Sequence, residues 1–122
     1  MPMADLQFPK RLRLLKPAEF ERVMQGRVSA TDALVRMYGA ANDLGHPRLG
    51  LVVSRRIGGA TTRNVWKRAL REAFRLAQHE LPACDLVCIP HRDAAPDACR
   101  LMESLPKLAH RIDAELRRQS VR

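Results

Sequence analysis

Apolar residues recur along this chain at two spacings, and the switches between them mark out its elements. Over residues 17–26, Phe20, Val23 and Met24 fall on one helical face. Pro17 stands in the first turn of that segment, Glu19 and Glu21 lie near its positive dipole end, and Gly26 is the expected C-terminal stop. The arm before it, 10–16, alternates charged and aliphatic residues and reads as extended. Residues 33–40 and 49–54 read as strands separated by the turn-rich segment 42–47, and are expected to pair antiparallel.

Helical spacing returns after Gly58-Gly59, with Thr61 or Thr62 as the expected N-cap, and ends at Leu81-Pro82. Residues 85–89 form a short apolar run suited to a buried strand, which makes a strand–helix–strand unit on one sheet. Leu101, Leu105, Leu108, Ile112 and Leu116 then repeat at helical spacing; Ser104 is the expected cap, Pro106 falls in the first turn, and the helix runs to about residue 119. No repeat, low-complexity tract or linker interrupts the order, so 1–122 reads as a single α+β domain, a sandwich of one small sheet and its helices.

Charge changes this picture more than composition does. The chain is 46% hydrophobic with a mean hydropathy of -0.30, as expected of a globular domain, but carries a formal charge of +9 and a pI near 10.7. Much of the excess sits in 55–75, where Arg55, Arg56, Arg63, Lys67, Arg68, Arg71 and Arg75 face one acid, Glu72. At about 100° per residue, Arg63, Lys67, Arg71, Asn64, Arg75 and Arg68 share an arc of roughly 140°. Trp66, Leu70, Ala73 and Ala77 point the other way, toward the core. Arg63 and Lys67 stand where the helix macrodipole favours acids, so helix stability did not select them. Such a face calls for a polyanion: the helix start with its flexible glycines suits a phosphate, and Asn64 could reach a sugar or base edge.

Membrane chemistry is a poor fit. No stretch approaches the length of a spanning segment, and the first residues lack the apolar core and cleavage site of a signal peptide, so a cytoplasmic protein is expected. Cys84, Cys88 and Cys99 suit reduced, mostly buried thiols rather than a zinc site.

The run Leu51-Val-Val-Ser-Arg-Arg-Ile-Gly-Gly-Ala-Thr-Thr-Arg-Asn-Val-Trp-Lys-Arg-Ala-Leu-Arg-Glu72 resembles the signature of the bacterial ribonuclease P protein component. Arg11-Leu12 with Phe20 and Val23, and the late apolar strand at 85–89, extend the resemblance over nearly the whole chain. It implies an order αβββαβα, like the second domain of ribosomal protein S5, with a left-handed βαβ crossover. It also implies a subunit of an endoribonuclease that removes the 5′ leader of precursor tRNA, in which a catalytic RNA does the chemistry with Mg2+ held mainly by RNA and substrate.

By position, Arg63, Asn64, Lys67, Arg68 and Arg71 would face the catalytic RNA. Arg55 and Arg56 would lie between that RNA and the leader, while Phe20, Arg36 and Tyr38 would line a leader cleft. Val65 departs from the Arg-Asn-Arg signature and removes one cation from the rim of the helix face. Gly59 and Trp66 also depart from the usual residues; Trp66 is expected in the core.

A protein-only nuclease would need clustered carboxylates or a histidine pair. Asp85, Asp93 and Asp97 are spread over a strand and a loop, and His46, His79, His91 and His110 lack ligand spacing, so surface or capping roles are expected, with no catalytic residue and no metal site on the polypeptide. The alternative is a non-enzymatic ribosomal or RNA-chaperone protein, which would share the charge and architecture. Catalytic RNA and precursor tRNA are the expected partners, with no membrane and no DNA.

Overall fold

The computed structural model describes residues 8–121. The elements run α1 (Pro17–Gln25), β1 (Ser29–Thr31), β2 (Val35–Ala41), β3 (Arg48–Leu51), α2 (Ala60–Ala77), β4 (Cys84–Pro90) and α3 (Ala98–Ser120). This is the α+β order αβββαβα. β1 is a three-residue strand too short for the apolar pattern to resolve.

The sheet order is β1-β2-β4-β3. β2 pairs antiparallel with β1 and β4, and β3 pairs parallel with β4. The expected pairing of the second and third strands is therefore replaced: β4 lies between them. Its burial explains why, since Cys84, Asp85, Leu86, Val87 and Cys88 are all sealed, as a central strand covered on both faces requires. Alternation along β2 and β4 divides the sheet. Val35, Met37, Leu86 and Cys88 join the main core under α2 and α3, whereas Val87 turns to the opposite face and packs with Leu14, Val23 and Phe20 beneath α1.

Helix ends differ from expectation in instructive ways. Gly26 stays right-handed, and Arg27 takes the left-handed conformation (φ 56°) that ends α1. α3 begins about two turns earlier than a cap at Ser104 would give, because Asp97 accepts from the Cys99 and Arg100 amides and caps it. Pro106 consequently sits inside the helix. Ser104 is no cap; its Oγ donates to Asp32 Oδ2 (2.6 Å), while Asp32 Oδ1 accepts from the Leu34 and Val35 amides, so one aspartate ties the β1–β2 turn to α3. Arm 10–16 is only partly extended: Lys10–Leu12 form a 3-10 turn, and Arg13-Leu14 then runs parallel beside Leu49 of β3. Cys84 and Cys88 are buried and free, but Cys99 is exposed.

Asp85 overturns the expectation of a surface or capping role. It is completely buried at the start of β4. Oδ1 accepts from Asn42 Nδ2 (2.8 Å) and Arg48 Nε (2.8 Å); Oδ2 accepts from Arg48 Nη2 (2.7 Å) and from Arg22. Arg48 also donates to Glu19 Oε2 (2.8 Å), and Glu19 accepts from the Leu15 and Lys16 amides at the start of α1. Burial pushes the Asp85 carboxyl up, but the hydrogen bonds from Arg48 and Asn42 and the charges of Arg48 and Arg22 outweigh it and hold it below the ordinary range.

Two outcomes follow from this arrangement. Asp85→Asn should cost about 3 kcal/mol at neutral pH, because Arg48 and Arg22 lose their buried counter-charge. Since the native carboxyl titrates below its unfolded value of about 3.9, that difference should be full above pH 5 and shrink as pH falls below 4, which urea unfolding at several pH values will read. Arg27→Gly should raise stability by about 0.5–1 kcal/mol, the left-handed strain relieved less the extra chain entropy of glycine, checked by the same titration.

Candidate nucleic-acid interface

α2 leaves β3 through Val52-Val53-Ser54 and a 3-10 turn at Arg55–Ile57, which places Arg55 and Arg56 in solvent just ahead of the helix. Gly58 follows at φ 149°, a conformation that a side chain rarely adopts. Gly59 rather than Thr61 or Thr62 is the N-cap, so no side chain caps the helix, and its first turn carries no acid. The first Arg63 amide already bonds to the Gly59 carbonyl (3.0 Å). A helix start left uncapped, with Arg55 and Arg56 beside it, presents donors and positive charge together.

Along α2 the two faces are sharply separated. Trp66 (1% exposed), Leu70, Ala73 and Phe74 are sealed in the core. Asn64, Arg68 and Arg71 are exposed, and Arg63 and Lys67 are half-buried. Val65 lies on the exposed rim, as its helical angle requires. Among the described residues, Arg63, Lys67, Arg68 and Arg71 have no carboxylate partner, and the Arg63 Nε is enclosed without an acceptor. Arg75 differs: its Nη2 donates to Glu72 Oε1 (2.6 Å), and this bond holds the Glu72 carboxyl below its usual range. The cationic stripe is thus unbalanced along its first three turns and compensated in its last.

The stripe is one wall of a groove of about 360 Å3, whose other wall is made by Phe8 and Arg13 of the N-terminal arm. Arg13 donates to the Phe8 carbonyl through Nε (3.1 Å) and Nη2 (2.7 Å), and its guanidinium lies 4.6 Å from the centre of the Phe8 ring. The Phe8 ring in turn packs on Phe74 of α2, centroid to centroid 5.0 Å. Sequence reading missed both residues. The alternating arm at 10–16 was the available signal, but a hold between residues 8 and 13 has no periodicity to show.

A second hollow, about 220 Å3, lies on the α1 side of the arm and is lined by Phe20, Leu14 and Leu51 with Lys67 and Arg71. Phe20 is half-buried there and packs against β3 at Gly50, where a Cβ would come within 2.6 Å of the ring edge. Packing and exposure therefore coexist at Phe20. A third hollow, about 450 Å3, brings Arg56 together with Ile89, His91 and Arg92 at the end of β4.

Arg36 and Tyr38 project from β2 on the face that carries Val87 and Ile89, with the Arg36 guanidinium 5.5 Å from the Tyr38 ring centre. They share an apolar patch with Phe20 and Met24 only in the case of Tyr38. The structure thus gathers Phe20, Lys67 and Arg71 in one place and Arg56 in a second; Tyr38, half-buried, joins the patch beneath Phe20, and Arg36 stays exposed on the sheet. Among the described residues no helix is long and apolar enough to cross a membrane.

Known proteins are similar to this chain in sequence and in fold. The Ribonuclease P family model matches residues 8–113. Ribonuclease P protein components of Salmonella newport and Salmonella typhimurium are each 45% identical over 111 residues, covering 89% of this chain and 93% of theirs. Among solved structures, a Staphylococcus aureus RNase P protein mutant with defective mRNA degradation activity is similar at a TM-score of 0.72 with 30% identity, over 80% of this chain and 87% of that one. The RNase P protein from Thermotoga maritima is similar at a TM-score of 0.68 with 28% identity, over 79% of this chain and 96% of that one. Fold and length agree with these relatives, and the chain belongs to the ribonuclease P protein family, the protein components of a tRNA-processing endoribonuclease.

Proposed function

We propose that this chain docks a catalytic RNA on the exposed face of α2 and holds the single-stranded 5′ leader of precursor tRNA on the neighbouring α1 side, assisting endonucleolytic removal of the leader. The observation that carries the reading is the run of cations on α2 without acidic partners among the described residues, set against a hollow that combines an aromatic ring with two of those cations. Phosphates would neutralise the stripe through Arg63, Lys67, Arg68 and Arg71, with Asn64 on a sugar or base edge. Arg55 and Arg56 would contact the strand passing the helix start. A leader base stacked on Phe20 would contribute about 1–3 kcal/mol. Arg36 and Tyr38 would extend the leader track across the open sheet.

On this reading the polypeptide contributes position and charge in the cytoplasm, and the RNA partner performs hydrolysis. Magnesium would be held by RNA and substrate phosphates. Asp85, Asp32 and Glu72 spend their oxygens on protein donors.

Reconstitution is the decisive measurement. The protein added to a bacterial ribonuclease P RNA should permit cleavage of precursor tRNA at magnesium concentrations where the RNA alone is slow; no stimulation at any protein concentration rejects the reading. Lys67→Ala should weaken binding to that RNA and lower the slope of log affinity against log salt by about 0.7–0.9, the release expected for one phosphate contact. An unchanged slope removes Lys67 from the interface. Phe20→Ala should weaken precursor tRNA more than mature tRNA, and Gly50→Ala should do the same with the ring still present, because the added methyl displaces it; equal losses on both substrates reject a leader role for Phe20.

A further inference from the structure

The hollow along α2 and the hollow beside α1 share four lining residues, Phe8, Arg13, Lys67 and Arg71, so these form the partition between them. Two of the four belong to the arm and two to the helix. Arg13 sits at the sheet edge beside Leu49, where Leu14 donates to the Leu49 carbonyl (3.0 Å), so its backbone is fixed. From that base its guanidinium spends two donors on the Phe8 carbonyl and one face on the Phe8 ring, while Phe74 packs against the ring at a tilt. The half-buried ring has the cation over one face and Phe74 packed against it at a tilt of 52°, so it is committed to the arm rather than offered to a base. Its place is structural, and what it builds is a divider.

We infer that Phe8 and Arg13 act as positioning residues, a strap that splits one basic groove into two RNA tracks, and that Lys67 and Arg71 are shared by both. This rests on the function proposed above and adds a source of substrate discrimination to it. Without the divider, Lys67 and Arg71 would face a single wide groove in which either RNA strand could satisfy them, and the leader would lose its separate track. A planar fork is needed for the hold: lysine keeps the charge but can neither chelate the carbonyl nor lie flat on the ring.

The test uses the reconstituted ribonucleoprotein with Arg13→Lys and, independently, Phe8→Leu, which keeps apolar contact with Phe74 but removes the ring face. Binding of precursor and mature tRNA is measured for each, together with the salt slope of catalytic-RNA binding. Both variants should reduce the preference for precursor over mature tRNA about fivefold, and Arg13→Lys should leave the salt slope within less than one phosphate contact of the parent value. Arg13→Gln, which removes the charge as well, should lower both. An unchanged preference in Arg13→Lys and Phe8→Leu overturns the strap, as does an equal loss on the two tRNAs. Failure of the parent protein to stimulate cleavage overturns the reading beneath it, whereas stimulation with unaltered discrimination in the variants overturns the strap alone.

Discussion

A carboxylate with no access to water holds this molecule in register. Asp85 opens β4, and its two oxygens are filled by donors from α1, from the segment before β3 and from β3 itself. An unpaired charge there would cost several kcal/mol, so the arrangement tolerates little movement of any donor. Arg48 carries the constraint onward to Glu19, which also fixes the first turn of α1. Through this chain of contacts the central strand sets the position of α1, and α1 sets Phe20 over Gly50. The apolar contacts under α1 are few, involving Leu14, Val23 and Val87 as the sealed members, so the polar network supplies orientation that packing alone would leave loose.

On the other face the division of labour is reversed. Trp66, Leu70 and Phe74 anchor α2 by burial, which frees its outer surface from any duty to stability. That freedom is what permits cations near the N-terminal end, against the macrodipole, and an exposed Val65 on the rim. Only in the last turn does Glu72 meet Arg75. The field of the helix is therefore strongest where it emerges from the glycine turn and weakest where it re-enters the fold.

How much of this could be read from residues alone follows from the range of each interaction. The α2 stripe and its core face were legible because both repeat with the helix, and Trp66 fell inside as its angle requires. The late strand was legible from its apolar run, but its place between β2 and β3 was not, since pairing order has no local pattern. α3 was placed too far along because Ser104 and Pro106 imitate a helix start; Asp97, seven residues before Ser104, makes the real one. Asp85 was misread for the same reason: a buried acid looks like any other until its partners, from 37 to 63 residues away in sequence, are brought to it. Of the groove along α2, the cations were legible from the helix angles, whereas the hold of Arg13 on Phe8 depends on a turn that no periodicity announces.

The place of β4 in the sheet bears on how the protein is made. β2 and β3 are emitted early from the ribosome, yet neither has its shared neighbour until residue 90 has been added. Before then each presents an open edge, and α2, which connects β3 to β4, has no completed sheet on which to seat Trp66 and Phe74. Any product terminated within or before β4 would lack the platform that turns the basic segment into a face. The order of synthesis thus sets an order of assembly: the cations of α2 fall into one face only after the central strand has been added.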